Sequence, residues 1–273
     1  RQMNANNAQG KKTIRIKKEF LFPEHYDTNQ FKHNVHAVLP GSLVYIFEKG
    51  HGTSSRHTNS LEISTLKGIR GFFQKVFNYA SGNGWSPLRK EYRRLLGTRH
   101  TILNMDKIKE GCGFYKDPFR WSVDEKIKNL RKGEVVYGEI VGYTTTGALI
   151  MNSQGTKALK NKEISKRYGD EMRYTYGCMP GMCDFYVYRI AMVNEDGILT
   201  ELSWNQVLAR CFELGLKTFP LLDFFVYDGN KENLVKRVDE LVNGKTGDEC
   251  PPSNIDPSHI NEGVVLRVEN NHG

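Results

Sequence analysis

The chain is 273 residues long, 38% hydrophobic and 26% charged, with a formal net charge of +8 at pH 7. That length can bury a sizeable core as one large domain or two small ones, and no uninterrupted apolar run approaches a membrane span, so no membrane partner is expected. Cys112, Cys178, Cys183, Cys211 and Cys250 are spaced too irregularly for a disulfide framework, and nothing at the N-terminus reads as a signal peptide, so a reducing, cytoplasmic setting is expected.

The charge is uneven: residues 1–100 carry a net +11 and the remainder a net −3. A basic half suggests a polyanion partner, most commonly nucleic acid, although a solvated basic surface accounts for the charge equally well. Residues 1–10 are Asn/Gln-rich and read as a frayed end, with one domain expected over 11–273. Alternation at Thr13–Lys17 predicts a strand. Phe22–His36 reads as a polar loop whose His25, Asp27, His33 and His36 match no metal-ligand spacing. Pro40-Gly41 marks a turn. Val44–Phe47 is then a short β-prone run that delivers Glu48-Lys49-Gly50-His51-Gly52. A lysine at a strand end among glycines is a candidate nucleophile if burial or a neighbouring cation lowers its pKa from the ordinary ~10.4. Read alone, the same segment is also a glycine turn with a solvated lysine.

Farther along, Ile69, Phe72, Phe73, Val76, Phe77 and Ala80 recur at helical spacing and predict a core-facing helix. Pro87–Leu96 reads as a second short helix ended by Gly97, its Arg89, Lys90, Arg93 and Arg94 forming a basic face that could grip phosphates. Gly97–Leu103 is β-prone and carries Arg99. Ser122–Glu125 reads as a capping box for a helix ending near Lys132-Gly133. Glu134–Gly142 is an apolar strand with one acid, Glu139, in its interior, where an unpaired charge would be costly. Cys178 and Cys183 lack the second pair that a structural zinc site needs. Asp184–Val193 is a further strand, turning at 194–197 into Ile198–Leu202. Ser203–Gln206 is a capping box opening a helix to about Gly215, and Lys231–Val242 is an amphipathic helix. Gly244-Lys245-Thr246 is no P-loop, because Asp239 stands where its first glycine belongs. Asn261–Val268 is the last strand, with Glu262 and Gly263 at its mouth. Strands and helices do not alternate regularly enough for a doubly wound sheet, so an α+β fold of twisted, largely antiparallel sheets with flanking helices is expected.

In this order the segments EKGHGTS (48–54), GTRHTIL (97–103), VYGEIVG (136–142), DFYVYRI (184–190) and NEGVVLR (261–267) resemble motifs I, Ia, III, IIIa and IV of the covalent nucleotidyltransferases. They look most like those of RNA ligases of the RNA ligase 2 type, in the Lys-x-His-Gly form of motif I. The resemblance implies an ATP-dependent enzyme with Mg2+ or Mn2+ that joins 5′-phosphate and 3′-hydroxyl ends of RNA or a nicked duplex, with ATP in a cleft between the sheets. It implies Lys49 as the residue adenylylated, Glu48 near the adenine, and His51 and Ser54 on the phosphate side. It further implies Arg99 on ribose or phosphate, Glu139 on the ribose, Tyr188 or less readily Phe185 stacked on adenine, Glu262 at the metal and Arg267 near the phosphate. Two departures stand out: Arg189 follows Tyr188 where the family often has Asp, and no motif V lysine pair or C-terminal domain follows motif IV here. Lysyl-AMP formation by this stretch alone is therefore not assured by the resemblance. A DNA ligase or capping guanylyltransferase of the same superfamily, or a silent nucleic-acid-binding module, are the alternatives.

Overall fold

The computed structural model describes residues 18–25, 27–103, 116–156, 162–247 and 249–269, so the strand expected at Thr13–Lys17 lies outside the described residues. In chain order the elements are β1 (Lys18–Phe20), α1 (Phe31–Asn34), β2 (Leu43–Glu48), β3 (Thr53–Thr65), α2 (Gly68–Ala80), β4 (Leu88–Gly97), α3 (Phe119–Lys126), β5 (Glu134–Gly142), β6 (Gln154–Gly155), α4 (Lys162–Tyr168), β7 (Glu171–Met172), β8 (Cys183–Val193), β9 (Leu199–Glu201), α5 (Trp204–Leu214), β10 (Lys217–Thr218), β11 (Leu221–Val226), α6 (Lys231–Asn243) and β12 (Val264–Glu269). Among the described residues these strands make a seven-stranded sheet of order β1-β3-β5-β8-β10, with β4 on β3 and β9 on β8, a three-stranded sheet of order β11-β2-β12, and the β6-β7 pair. All pairings are antiparallel except β8 with β10, as an α+β reading requires.

The unbroken apolar run in β2 has a physical reason: both of its faces are covered. Val44 and Ile46 pack with Leu234 and Val238 of α6, while Tyr45 and Phe47 join the main core with Ile140 of β5, Ile190 of β8, and Trp204 and Val207 of α5. The two sheets thus close around one core and leave an opening at the end of β2 and the start of β12, floored by the middle of β5 and β8. Ser203 caps α5 in a capping box with Gln206, and Gly215 closes it at φ 65°, as its sequence predicts.

Four expectations are corrected. Leu88–Gly97 is a strand, not a helix: all ten residues pair with β3 from Arg56 to Thr65. Its helix-favouring Leu, Arg and Glu lose to the long-range demand of β3, which is polar and needs a partner along its length. The segment 22–36 is not all loop, since α1 and a 3-10 turn at Val35–Ala37 fall within or beside it. Ser122 sits inside α3 and donates to the Phe119 carbonyl at 2.7 Å; Asp117 Oδ1 instead accepts the Phe119 N–H at 3.0 Å, and α3 ends at Lys126. Helix α2 forms where its periodicity predicts, but its apolar stripe faces solvent rather than the core.

Candidate active site

β2 carries the chain into the site and its pairing does not stop at its last residue. The Glu48 N–H donates to the Pro220 carbonyl at 3.1 Å and the Lys49 N–H to the Gly263 carbonyl at 2.9 Å, so the backbone under Lys49 is held from both sides. The glycines that follow answer to crowding. A Cβ on Gly50 would lie 2.2 Å from Phe219 Cζ, and one on Gly52 would lie 2.3 Å from the Ile140 carbonyl oxygen, so only glycine fits the passage between β5 and Phe219. Tyr176 fixes the loop from a third side: its hydroxyl accepts the His51 N–H at 2.5 Å. Tyr176 is itself buried in a left-handed conformation at φ 50°, uncommon for a bulky residue and tolerated where the surroundings impose it. The Tyr174 ring supports the His51 ring at 4.4 Å.

Three chemical groups converge here. Lys49 Nζ lies 2.6 Å from Glu262 Oε1, and His51 Nδ1 reaches the same oxygen at 2.9 Å. Burial works against the charge of Glu262, but the hydrogen bonds and charges of His51 and Lys49 outweigh it and hold the carboxyl below its ordinary value. Its second oxygen, Oε2, is buried with no hydrogen-bond partner among the described residues. Glu139 behaves oppositely. Burial pushes it up to about 7, which the Ser54 hydroxyl, donating at 3.1 Å, and the charge of Arg99 only partly offset. Tyr188, hydrogen-bonded to Ser54, is raised by burial and by the charge of Glu139. His25, across the opening, is lowered to about 4 by burial and then by the charges of Arg99 and Arg189. Two neighbouring carboxylates pushed in opposite directions inside one cleft of about 520 Å³ are the mark of a site built for chemistry.

Residues 42–273 match the sequence profile of the RNA ligase family. The chain belongs to that family. Its fold is similar to that of a Naegleria gruberi RNA ligase carrying a lysine-to-methionine substitution, solved with AMP and Mn: TM-score 0.51 at 13% identity, covering 92% of this chain and 55% of that one. An arginine-to-alanine variant of the ligase, solved with ATP and Mn, gives the same figures of 0.51, 13%, 92% and 55%. The ligase with PPi gives a TM-score of 0.50 at 12% identity, over 97% of this chain and 58% of that one. At such identities the likeness is one of fold, and the chain spans little more than half the length of these ligases. No curated protein matches the chain in sequence.

Most residues singled out in this RNA ligase family member do meet. Lys49, His51, Ser54, Arg99, Glu139, Tyr188, Glu262 and Arg267 all line the cleft. Arg99 pairs with Asp27 at 2.7 Å across its mouth. Arg267 lies in a chain of ion pairs, 3.1 Å from Glu201 and 2.8 Å from Glu269, and Glu201 in turn meets the buried Arg189 at 2.9 Å. That pairing gives Arg189, the departure from the family pattern, a role in holding β9 and β12 to β8. Glu48 is only partly where expected. It touches the cleft, but its buried carboxylate accepts from the Ser253 hydroxyl at 2.5 Å and the Asn254 N–H at 2.8 Å, so it anchors the 253–254 loop rather than facing a base.

Two groups of residues are not where they were expected. Phe185 does not stack in the cleft: it is buried in the core against the His57 ring, over Gly138, whose Cβ would lie 2.4 Å from Phe185 Cζ. The basic quartet does not form one helical face, because β4 alternates. Arg89 and Arg93 clasp Glu91 on one side, Arg93 also reaching Glu62 at 2.9 Å, while Lys90 meets Glu195 and Arg94 meets Asp124, each at 2.8 Å, through other contacts. Tyr174, Tyr176, Trp204 and Phe219 are site residues that sequence reasoning missed. The single local signal was Tyr176-Gly177, an aromatic before a turn glycine. A further cluster, Ser55 Oγ to His57 Nε2 at 3.0 Å and His57 Nδ1 to Asp124 at 2.8 Å, has the order of a nucleophile triad but is wholly buried. It braces β3 against α3.

Proposed function

We propose that this chain carries the adenylyl-transfer centre of an ATP-dependent RNA ligase. Lys49 Nζ attacks the α-phosphorus of ATP, the bond from that phosphorus to the bridging oxygen breaks, pyrophosphate leaves, and a lysyl-AMP phosphoramidate remains. AMP then passes to the 5′-phosphate of an RNA strand, and a 3′-hydroxyl displaces it to form the phosphodiester. The observation that carries the reading is the Lys49 amine at the cleft mouth, 2.6 Å from Glu262 and braced by His51. Family membership and the cleft volume support it. Lys49 must lose its proton before it attacks; Glu262 Oε1, which accepts from Lys49 Nζ and lies 2.9 Å from His51 Nδ1, orients the amine toward the α-phosphorus. Tyr188 offers a ring to the adenine, and Arg99 a cation to ribose or phosphate.

A divalent cation fits these residues. Glu262 Oε2 is buried without a hydrogen-bond partner among the described residues, and Glu139 is driven up in part by the charge of Glu262, so both carboxylates would welcome a cation. Among the described residues no group of three or more His, Cys, Asp or Glu gathers to enclose a metal. An ion would therefore be held by one or two carboxylates and by substrate phosphates, as Mg2+ usually is. When bound it supplies charge neutralisation for the pyrophosphate leaving group.

The test is incubation with α-labelled ATP or GTP and Mg2+ or Mn2+, followed by denaturing electrophoresis. Label retained from ATP supports the reading. Label retained from GTP alone points to a capping enzyme, and no label with either metal contradicts it.

A further inference from the structure

Helix α2 is mounted the wrong way round for a core helix. Its inward side is polar: Gly71 and Asn78 are buried, and Asn78 Nδ2 donates to the Ser86 and Leu88 carbonyls, both at 2.8 Å. Its outward side is not. Ile69, Phe72, Phe73, Phe77, Tyr79 and, just beyond the helix, Trp85 are each more than half exposed, and the Trp85 ring lies 6.1 Å from those of both Phe72 and Tyr79. Beside the helix runs a groove of about 520 Å³ between α2 and the β3-β4 ribbon, with Phe73 and Phe77 on one wall and Arg89 and Arg93 opposite. Those two arginines are shared with Glu62 and Glu91, so the free positive charge comes from the helix. No acidic residue occurs between Glu62 and Glu91, whereas Lys67, Arg70 and Lys75 do, and these three have no acidic partner among the described residues.

We propose that α2 and this groove bind single-stranded RNA, with bases stacking on Phe73 and Phe77 and phosphates meeting Arg70 and Lys75. Five of the six exposed side chains are aromatic, flat faces that accept any base, and α2 adds Arg70 and Lys75 with no acid of its own, while Glu62 and Glu91 on the opposite wall are matched by Arg89 and Arg93; aromatics beside cations are the pairing that single-strand sites use. β3 links the cleft to the groove: from Ser54 to Thr65 it can carry the chain up to roughly 36 Å, about ten stacked nucleotides. That a bound strand continues into the cleft rests on the ligase reading; the binding itself does not.

The experiment is fluorescence anisotropy of a labelled single-stranded RNA of roughly 20 nucleotides, longer than single-strand sites occupy, titrated with the full chain without ATP or metal. Phe73→Ser/Phe77→Ser should weaken binding about tenfold or more and leave the salt slope unchanged. Arg70→Gln/Lys75→Gln should flatten the slope by up to about 1.4. Both variants should melt like the wild type, because Arg70, Phe73 and Phe77 are exposed and Lys75 is only half-buried. Wild-type affinity in both variants would overturn the proposal. So would a wild-type dimer in sedimentation that the phenylalanine variant dissolves with RNA affinity intact, which would make α2 a self-association face. Failure of adenylylation in the wild type with these RNA results intact would remove the ligase reading and leave this one standing.

Discussion

Glu139 should make the ligand-free protein less stable as pH rises, and Glu139→Gln should remove the effect. The carboxyl is held at about 7 in the fold, chiefly by burial, against an ordinary 4.5. Between those values the unfolded chain gives up the proton first, so stability is fully present below pH 4.5 and is lost as pH rises through about 7. The gap corresponds to roughly 3 kcal/mol. Glutamine keeps the shape and an acceptor for the Ser54 hydroxyl, at a cost of about 1 kcal/mol for a weaker hydrogen bond. The variant should then be more stable than wild type by on the order of 2 kcal/mol at pH 8, about 4–8 °C in Tm for a domain of this size, and equal or slightly worse at pH 4.5. Thermal unfolding of both proteins at the two pH values measures it, and the wild-type subtraction cancels the titration of His25 and His57. A Tm difference that does not change with pH would refute the reasoning, since the carboxyl would then ionise as if in water.

Tyr176→Phe removes the acceptor of the His51 N–H and should lower the rate of lysyl-AMP formation in single-turnover assays by about tenfold, with a stability loss of only about 1 kcal/mol. An unchanged rate would leave the tyrosine a packing residue. Gly50→Ala puts a Cβ where Phe219 Cζ stands and should lower Tm and abolish lysyl-AMP formation together; Phe219→Leu in the same chain should recover part of both. Ser203→Ala loses the cap of α5 and should cost about 1 kcal/mol in urea unfolding without altering adenylylation.

Which parts were legible in the sequence follows from how local their causes are. β2, β5 and β8 stand out because they are buried deeply enough to read as apolar runs, and the Ser203 box declares itself within four residues. The lysine loop, Glu139 and Glu262 were legible as an ordered set of motifs. β4 was not, because Leu, Arg and Glu favour a helix locally and only pairing with β3 overrules them. The choice between Tyr188 and Phe185 turns on a register shift where β8 meets Tyr137 and Gly138 of β5, which breaks simple alternation and which no spacing announces. The orientation of α2 was equally hidden: periodicity gives a stripe, not what covers it. Tyr176 reaches His51 across 125 positions of sequence, beyond any local signal.

The central claim is that the Lys49 amine becomes covalently bonded to AMP. Peptide mapping by mass spectrometry after incubation with ATP and Mg2+ tests it directly. The account predicts AMP on the peptide containing Lys49, and none in Lys49→Arg, whose guanidinium stays protonated. AMP on another lysine, or on none with Mg2+ or Mn2+ across neutral and alkaline pH, would contradict it.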